Sequence, residues 1–68
     1  MSKGTGVTRL SAFRARVAGA SARRAQQPVT DCPFKASGTW RQRTLARYWT
    51  LGWLRADAVL RDSATQAP

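Results

Sequence analysis

The sequence predicts an all-α protein: a two-helix hairpin with an irregular connecting loop containing proline and glycine, and flexible termini. Three observations predict it. Two separate segments repeat apolar residues at helical spacing. Pro28, Pro33 and Gly38 interrupt the chain between them. β-Branched residues are few and never alternate, so no strand pattern competes, and no internal repeat is present. The 68 residues make at most one small basic domain, residues 1–68. A chain of this size buries only about 60% of the surface it exposes when unfolded. Cys32 is its single cysteine and it has no histidine, so neither a disulfide nor a Cys/His zinc site can staple it.

Residues 1–7, MSKGTGV, read as a mobile arm, with Lys3 near its tip and Gly4 and Gly6 opposing helix. Thr8 is a candidate N-cap. The first helix is predicted over about 9–26. Leu10, Phe13, Val17 and Ala20 step by three, four and three and form one apolar stripe. Ala12, Ala15, Gly19 and Ala22 form a second, small-residue side that a helix or a phosphate backbone could approach closely. Arg9, Arg16 and Arg23 stand seven apart and line up beside the apolar stripe, flanked by Arg14 and Arg24. An ordinary solvated face is the plainer reading of that seam. Against it, the helix contains no acid, so like-charge repulsion goes uncompensated until a partner supplies an anion.

Gln26-Gln27-Pro28 ends this helix, because the residue before a proline disfavours the α region. The loop is predicted over 27–39. Phe34 is its one large apolar residue and is expected to fold back between the helices. Cys32 reads as a small buried hydrophobe, since no histidine or second thiol can activate it.

Ser37 or Thr39 can cap the second helix, predicted over about 40–62. The chain is organised around its stretch Leu45–Leu60. Leu45, Trp49, Gly52, Trp53, Ala56 and Leu60 fall within roughly 100° of one side, widened by Tyr48 and Val59. Arg43, Arg47 and Arg61 project from the other side. The tryptophans are expected to fill a small core while the arginines face a polyanion. Gly52 costs about 1 kcal/mol against alanine in a helix, and its gap admits another backbone or a base. Asp57 and Asp62 stand near the wrong helix end for the dipole and are expected to pair with Arg61 and Arg55. Residues 63–68 read as a frayed tail. In this hairpin the stripe of the first helix faces the tryptophan stripe over Phe34. Leu45, Trp49, Trp53, Phe13 and Phe34 form the expected core.

Charge is the strongest compositional fact. Twelve Lys and Arg face three Asp and Glu, a formal +9, and ten of the twelve cations are arginine. Arginine presents a planar fork suited to phosphate and stacks on bases. Nucleic acid is the first partner this implies, then an anionic membrane surface, then an acidic protein. No apolar run can span a bilayer and no signal-peptide core follows Met1. The acid-free, Arg-, Ser- and Ala-rich first thirty residues also look like an organelle transit peptide, but the arginines continue well past that region. There is no P-loop, no GxGxxG and no paired carboxylates on one face. Three dispersed acids cannot hold magnesium well. No catalytic residue, metal site, cofactor or small-molecule substrate is therefore expected.

The order of motifs meets a known family at Cys32-Pro33-Phe34 and Trp49-x-x-Gly52-Trp53. A basic amphipathic helix, then Cys-Pro-aromatic, then Trp-x-x-Gly-Trp in a second helix resembles ribosome modulation factor. Ala18-Gly19-Ala20 resembles the Ala/Gly pattern of that family's first helix. The resemblance spans roughly residues 10–60. Phe34 stands where tyrosine is more usual, and the segment from Phe34 to Trp49, which contains Trp40, is longer than the family pattern. The resemblance implies a cytoplasmic ribosome hibernation factor of stationary phase and stress. Such a protein binds the small ribosomal subunit near the 3′ end of its rRNA, blocks initiation and promotes inactive ribosome dimers. The wider family includes a plasmid-borne ciprofloxacin-resistance protein, which implies ATP-dependent fluoroquinolone modification as the alternative. The expected RNA contacts are Arg9, Arg16, Arg23, Arg24, Arg43 and Arg47 on phosphates, with Trp40 and Tyr48 stacking on unpaired bases. The expected partners are the small subunit and its rRNA, with no membrane.

Overall fold

A computed structural model describes residues 7–66. The protein is all-α, with no strand among the described residues. Helix α1 spans Arg9–Arg24 and helix α2 spans Trp40–Gln66, with one 3-10 turn at Val29–Asp31 between them. The arm assigned to residues 1–7 lies outside the described residues except for Val7, which packs against the core.

The helix ends follow local chemistry. The Thr8 hydroxyl accepts the Ser11 N–H at 3.0 Å, as expected of its N-cap. Helix α1 stops at Arg24, short of the predicted end at 26. Its C-terminus is closed by a Schellman pair: the Gln26 N–H donates to the Arg23 carbonyl and the Gln27 N–H to the Ala22 carbonyl. Gln26 takes the left-handed conformation, φ 66°, that glycine usually fills there. Of the two candidate caps for α2, Thr39 acts: its hydroxyl accepts the Gln42 N–H at 3.2 Å. Gln42 in turn accepts the Lys35 N–H at 3.1 Å and ties the end of the loop to the first turn. Helix α2 runs on to Gln66, so residues 63–66 are helical rather than a frayed tail.

Helix α1 presents its small-residue side to α2, not the apolar stripe. Ala15, Gly19 and Ala22 are buried. Leu10, Phe13 and Val17 are 56%, 63% and 46% exposed. The expectation that Phe13 belongs to the core is therefore corrected. The reason lies in α2. Trp49 is only 2% exposed and already fills the interface with its indole. Close approach then requires the opposing face to be small. Gly19 packs on the Trp49 carbonyl and Gly52 on the Arg16 carbonyl, so the two backbones touch. The gap at Gly52 admits another backbone of this same chain.

Leu45 and Trp49 join Ala15 and Ala22 as the core, covered by Val29, Cys32 and Phe34 from the connection and by Tyr48 and Trp53. Val59 and Leu60, at the far end of the predicted stripe, are exposed because the core stops short of them.

Contacts advance in the same direction along both helices. The Arg16 carbonyl lies against Gly52, Gly19 against the Trp49–Trp53 turn, and the Arg23 guanidinium on Asp57. The helices run side by side in the same sense, and the connection returns along them. Residues 25–39 could reach about 50 Å extended, while the 16-residue α1 is only about 24 Å long. The Trp53 indole N–H donates to the Gln27 carbonyl at 2.8 Å and pins the start of that return. Pro33 and Trp49 border one shallow hollow farther along it.

Candidate nucleic-acid interface

Positive charge is spread over the outside of this scaffold. Nine of the ten arginines are exposed, and Arg23 is half-buried. They fall into groups set by helical spacing.

Trp40, Arg43 and Arg47 follow one another by three and four residues and share the side of α2 opposite Leu45 and Trp49. With Thr44 they line one surface hollow, and Arg43 and Arg47 also line the next, beside Ala36 and Leu51. Trp40 is 56% exposed at the first turn, and the Thr44 hydroxyl donates to its carbonyl at 2.8 Å. An exposed indole flanked by two guanidiniums at the positive end of a helix dipole can stack a base and hold adjacent phosphates. Three predicted residues are thus brought together. Tyr48 is not among them: it lies on a different side of α2, half-buried against the core.

A second group surrounds the groove between the helices. Arg16 and Arg24 border it from α1, and Arg55 from α2. Arg9 is exposed near the start of α1. Sequence reasoning gave Arg55 only an ion-pair role. The signal for more was present, since Arg55 lies three residues past Gly52, at the edge of the buried stripe.

Arg23 behaves differently from the rest of its seam. Seven residues fall about 20° short of two full turns. The row Arg9, Arg16, Arg23 therefore drifts toward the small-residue side, and its last member reaches the interface. Its Nε donates to Asp57 Oδ1 at 2.8 Å, and its guanidinium lies 5.6 Å from the Trp53 ring centroid. Arg61 Nε approaches Asp57 Oδ2 at 2.9 Å, one turn along α2. The expected Arg61 partner of Asp57 is present, and Arg23 adds a second from across the interface. Asp57 is buried, at 9% exposure. The Arg23 hydrogen bond, above all, holds its carboxyl below the ordinary carboxylate range; burial opposes this and the Arg61 charge adds to it. Arg23 thus serves the fold, while the outer arginines remain directed at solvent.

Among the described residues, no three His, Cys, Asp or Glu side chains gather where a metal could sit. No helix there is long and apolar enough to cross a membrane. No protein-family model, curated protein or solved structure matches the chain. What the surface offers chemically is electrostatic clamping and aromatic stacking.

Proposed function

We propose that this protein binds rRNA on the small ribosomal subunit and lowers translation, as a hibernation factor does. The observation that carries the reading is the exposed face of Trp40, Arg43 and Arg47, on a chain of formal charge +9. One indole and two guanidiniums with no acid lining the hollow match unpaired RNA better than they match a protein or a metabolite. The resemblance to ribosome modulation factor names the ribosome as the RNA. The residues that carry that resemblance act here as packing groups. Cys32 and Phe34 cover the core, Trp49 fills it, and Gly52 lets α1 in. They support a shared way of packing, while contact with RNA falls to the outer arginines and Trp40. In this reading the protein works in the cytoplasm, in stationary phase and under stress, without cofactor.

The test is cosedimentation with purified small subunits over a salt series. Binding should weaken steeply between about 50 and 200 mM salt, each phosphate contact adding roughly 0.7–0.9 to the slope of log K against log salt. Salt-insensitive binding, or none at low salt, sinks the reading. A parallel incubation with ATP and a fluoroquinolone separates the alternative: a phosphorylated drug absent from a heat-treated control would turn the assignment toward the antibiotic-modifying branch.

A further inference from the structure

Phe13, Val17, Val59 and Leu60 gather along one open groove between α1 and α2, with about 380 Å³ of space in it. Phe13 is 63% exposed and Val59 59%. Chains this small seldom leave such a patch bare without a use for it. Arg16, Arg24 and Arg55 stand along its edges, and no Asp or Glu lines it. Binding to phosphates calls on those arginines but leaves the apolar floor unexplained. The walls are two helical ridges: Phe13, Val17, Ala20 and Arg24 recur at helical steps on one side, and Ala56 and Leu60 on the other. A membrane surface favours a convex apolar face, and this floor is concave. A second copy would bring a second formal charge of +9 to the same rim.

We infer that this groove docks a short amphipathic helix of a protein partner, apolar along one ridge and acidic on both flanks. The wall from Phe13 to Arg24 is about 16 Å long, or three helical turns, which sets the length of the occupant. Its apolar ridge sits between Phe13 and Val59, and its Asp or Glu side chains meet Arg16, Arg24 and Arg55. The docked helix completes a three-helix layer over the apolar face that α1 turns away from α2. The groove shares no residue with the Trp40, Arg43 and Arg47 face, while its rim arginines Arg16 and Arg24 are also among those assigned to RNA phosphates. An acidic helix seated here therefore competes with RNA at the rim and leaves the Trp40 face open.

The experiment uses the full chain and a fluorescein-labelled, lactam-stapled helix of about fourteen residues, long enough for three turns and its caps. The probe carries leucine at i, i+4, i+7 and i+11 and glutamate on both flanks. The comparators are the same peptide with lysine for glutamate, vesicles of phosphatidylcholine and phosphatidylglycerol, and a hairpin RNA. Saturable binding of the glutamate peptide is expected, at least about tenfold tighter than the lysine peptide. Phe13→Ser and Val59→Ser should each weaken it about tenfold, the loss typical of a central apolar anchor. Circular dichroism and RNA binding of both variants should stay as in the parent; if one variant unfolds, the other decides. Absence of glutamate-peptide binding, equal binding of both peptides, or indifference to both substitutions overturns the proposal. Vesicle binding lost in the variants without peptide binding would assign the face to a lipid surface. RNA binding lost in them would assign it to RNA.

Discussion

Gly19 and Gly52 meet at one crossing, each lying against the other helix's backbone. A Cβ on Gly52 would come within 2.7 Å of the Arg16 carbonyl carbon, and one on Gly19 within 2.8 Å of the Trp49 carbonyl carbon. Neither neighbour is the movable end of a side chain. The separation of the helices is set by these two absent methyls, and with it the depth to which the Trp49 indole is enclosed.

Gly52→Ala should therefore destabilise the protein by about 1–3 kcal/mol, the usual cost of overpacking. Helix propensity alone predicts the opposite sign, a gain of about 1 kcal/mol. Urea unfolding followed by circular dichroism decides between them. A more stable alanine variant would show that the helices do not touch there.

Phe13 and Trp49 should separate cleanly. Trp49 is 2% exposed, and Trp49→Ala should cost about 3–5 kcal/mol, close to the whole reserve of a chain this size. Phe13 is 63% exposed, and Phe13→Ala should stay within about 0.5 kcal/mol. Thermal melts of the two variants give the comparison. Equal losses would put the Leu10–Phe13–Val17 stripe back in the interface.

Acid should weaken the fold through Asp57. Its native pKa is lowered while the unfolded chain keeps the ordinary value of about 3.9. Between those two values the unfolded state binds more protons, so stability rises with pH there. The contribution is complete above about pH 4 and is lost as pH falls through the lowered native value. Asp57→Asn should flatten stability against pH in that window. An unchanged acid limb in the variant would place the sensitivity elsewhere.

Arg47 and Arg23 should lose different things. Arg47 is exposed on the Trp40 face, so Arg47→Ala should leave the circular dichroism intact, weaken RNA binding and lower the salt slope by roughly 0.7–0.9. Arg23→Ala removes the cross-interface partner of Asp57 and the cation over Trp53, so it should lower the melting temperature. Where that variant remains folded, its salt slope should match the parent. The reverse pattern would make Arg23 the phosphate contact and Arg47 the structural one.

The sequence by itself determined the elements. Thr8 and Thr39 announced the two helix starts, the Gln26–Pro28 region announced a stop, and the spacing of Leu45, Trp49 and Ala56 marked the buried side of α2. These are local properties, written in caps, propensities and periodicity. Trp40, Arg43 and Arg47 could be placed on one side of α2 for the same reason, because a regular helix fixes its own faces. The choice of face on α1 was not local. Leu10, Phe13 and Val17 form as regular a stripe as Ala15, Gly19 and Ala22, and hydrophobicity alone favours the bulky one. Only the tertiary structure shows that α2 supplies the bulk with Trp49 and leaves a gap at Gly52, so α1 must supply the small side. The direction in which the helices lie together, and the Arg23–Asp57 pair that follows from it, likewise depend on where a long connection returns the chain. Burial is settled between surfaces, and a single helix read alone contains only one of them.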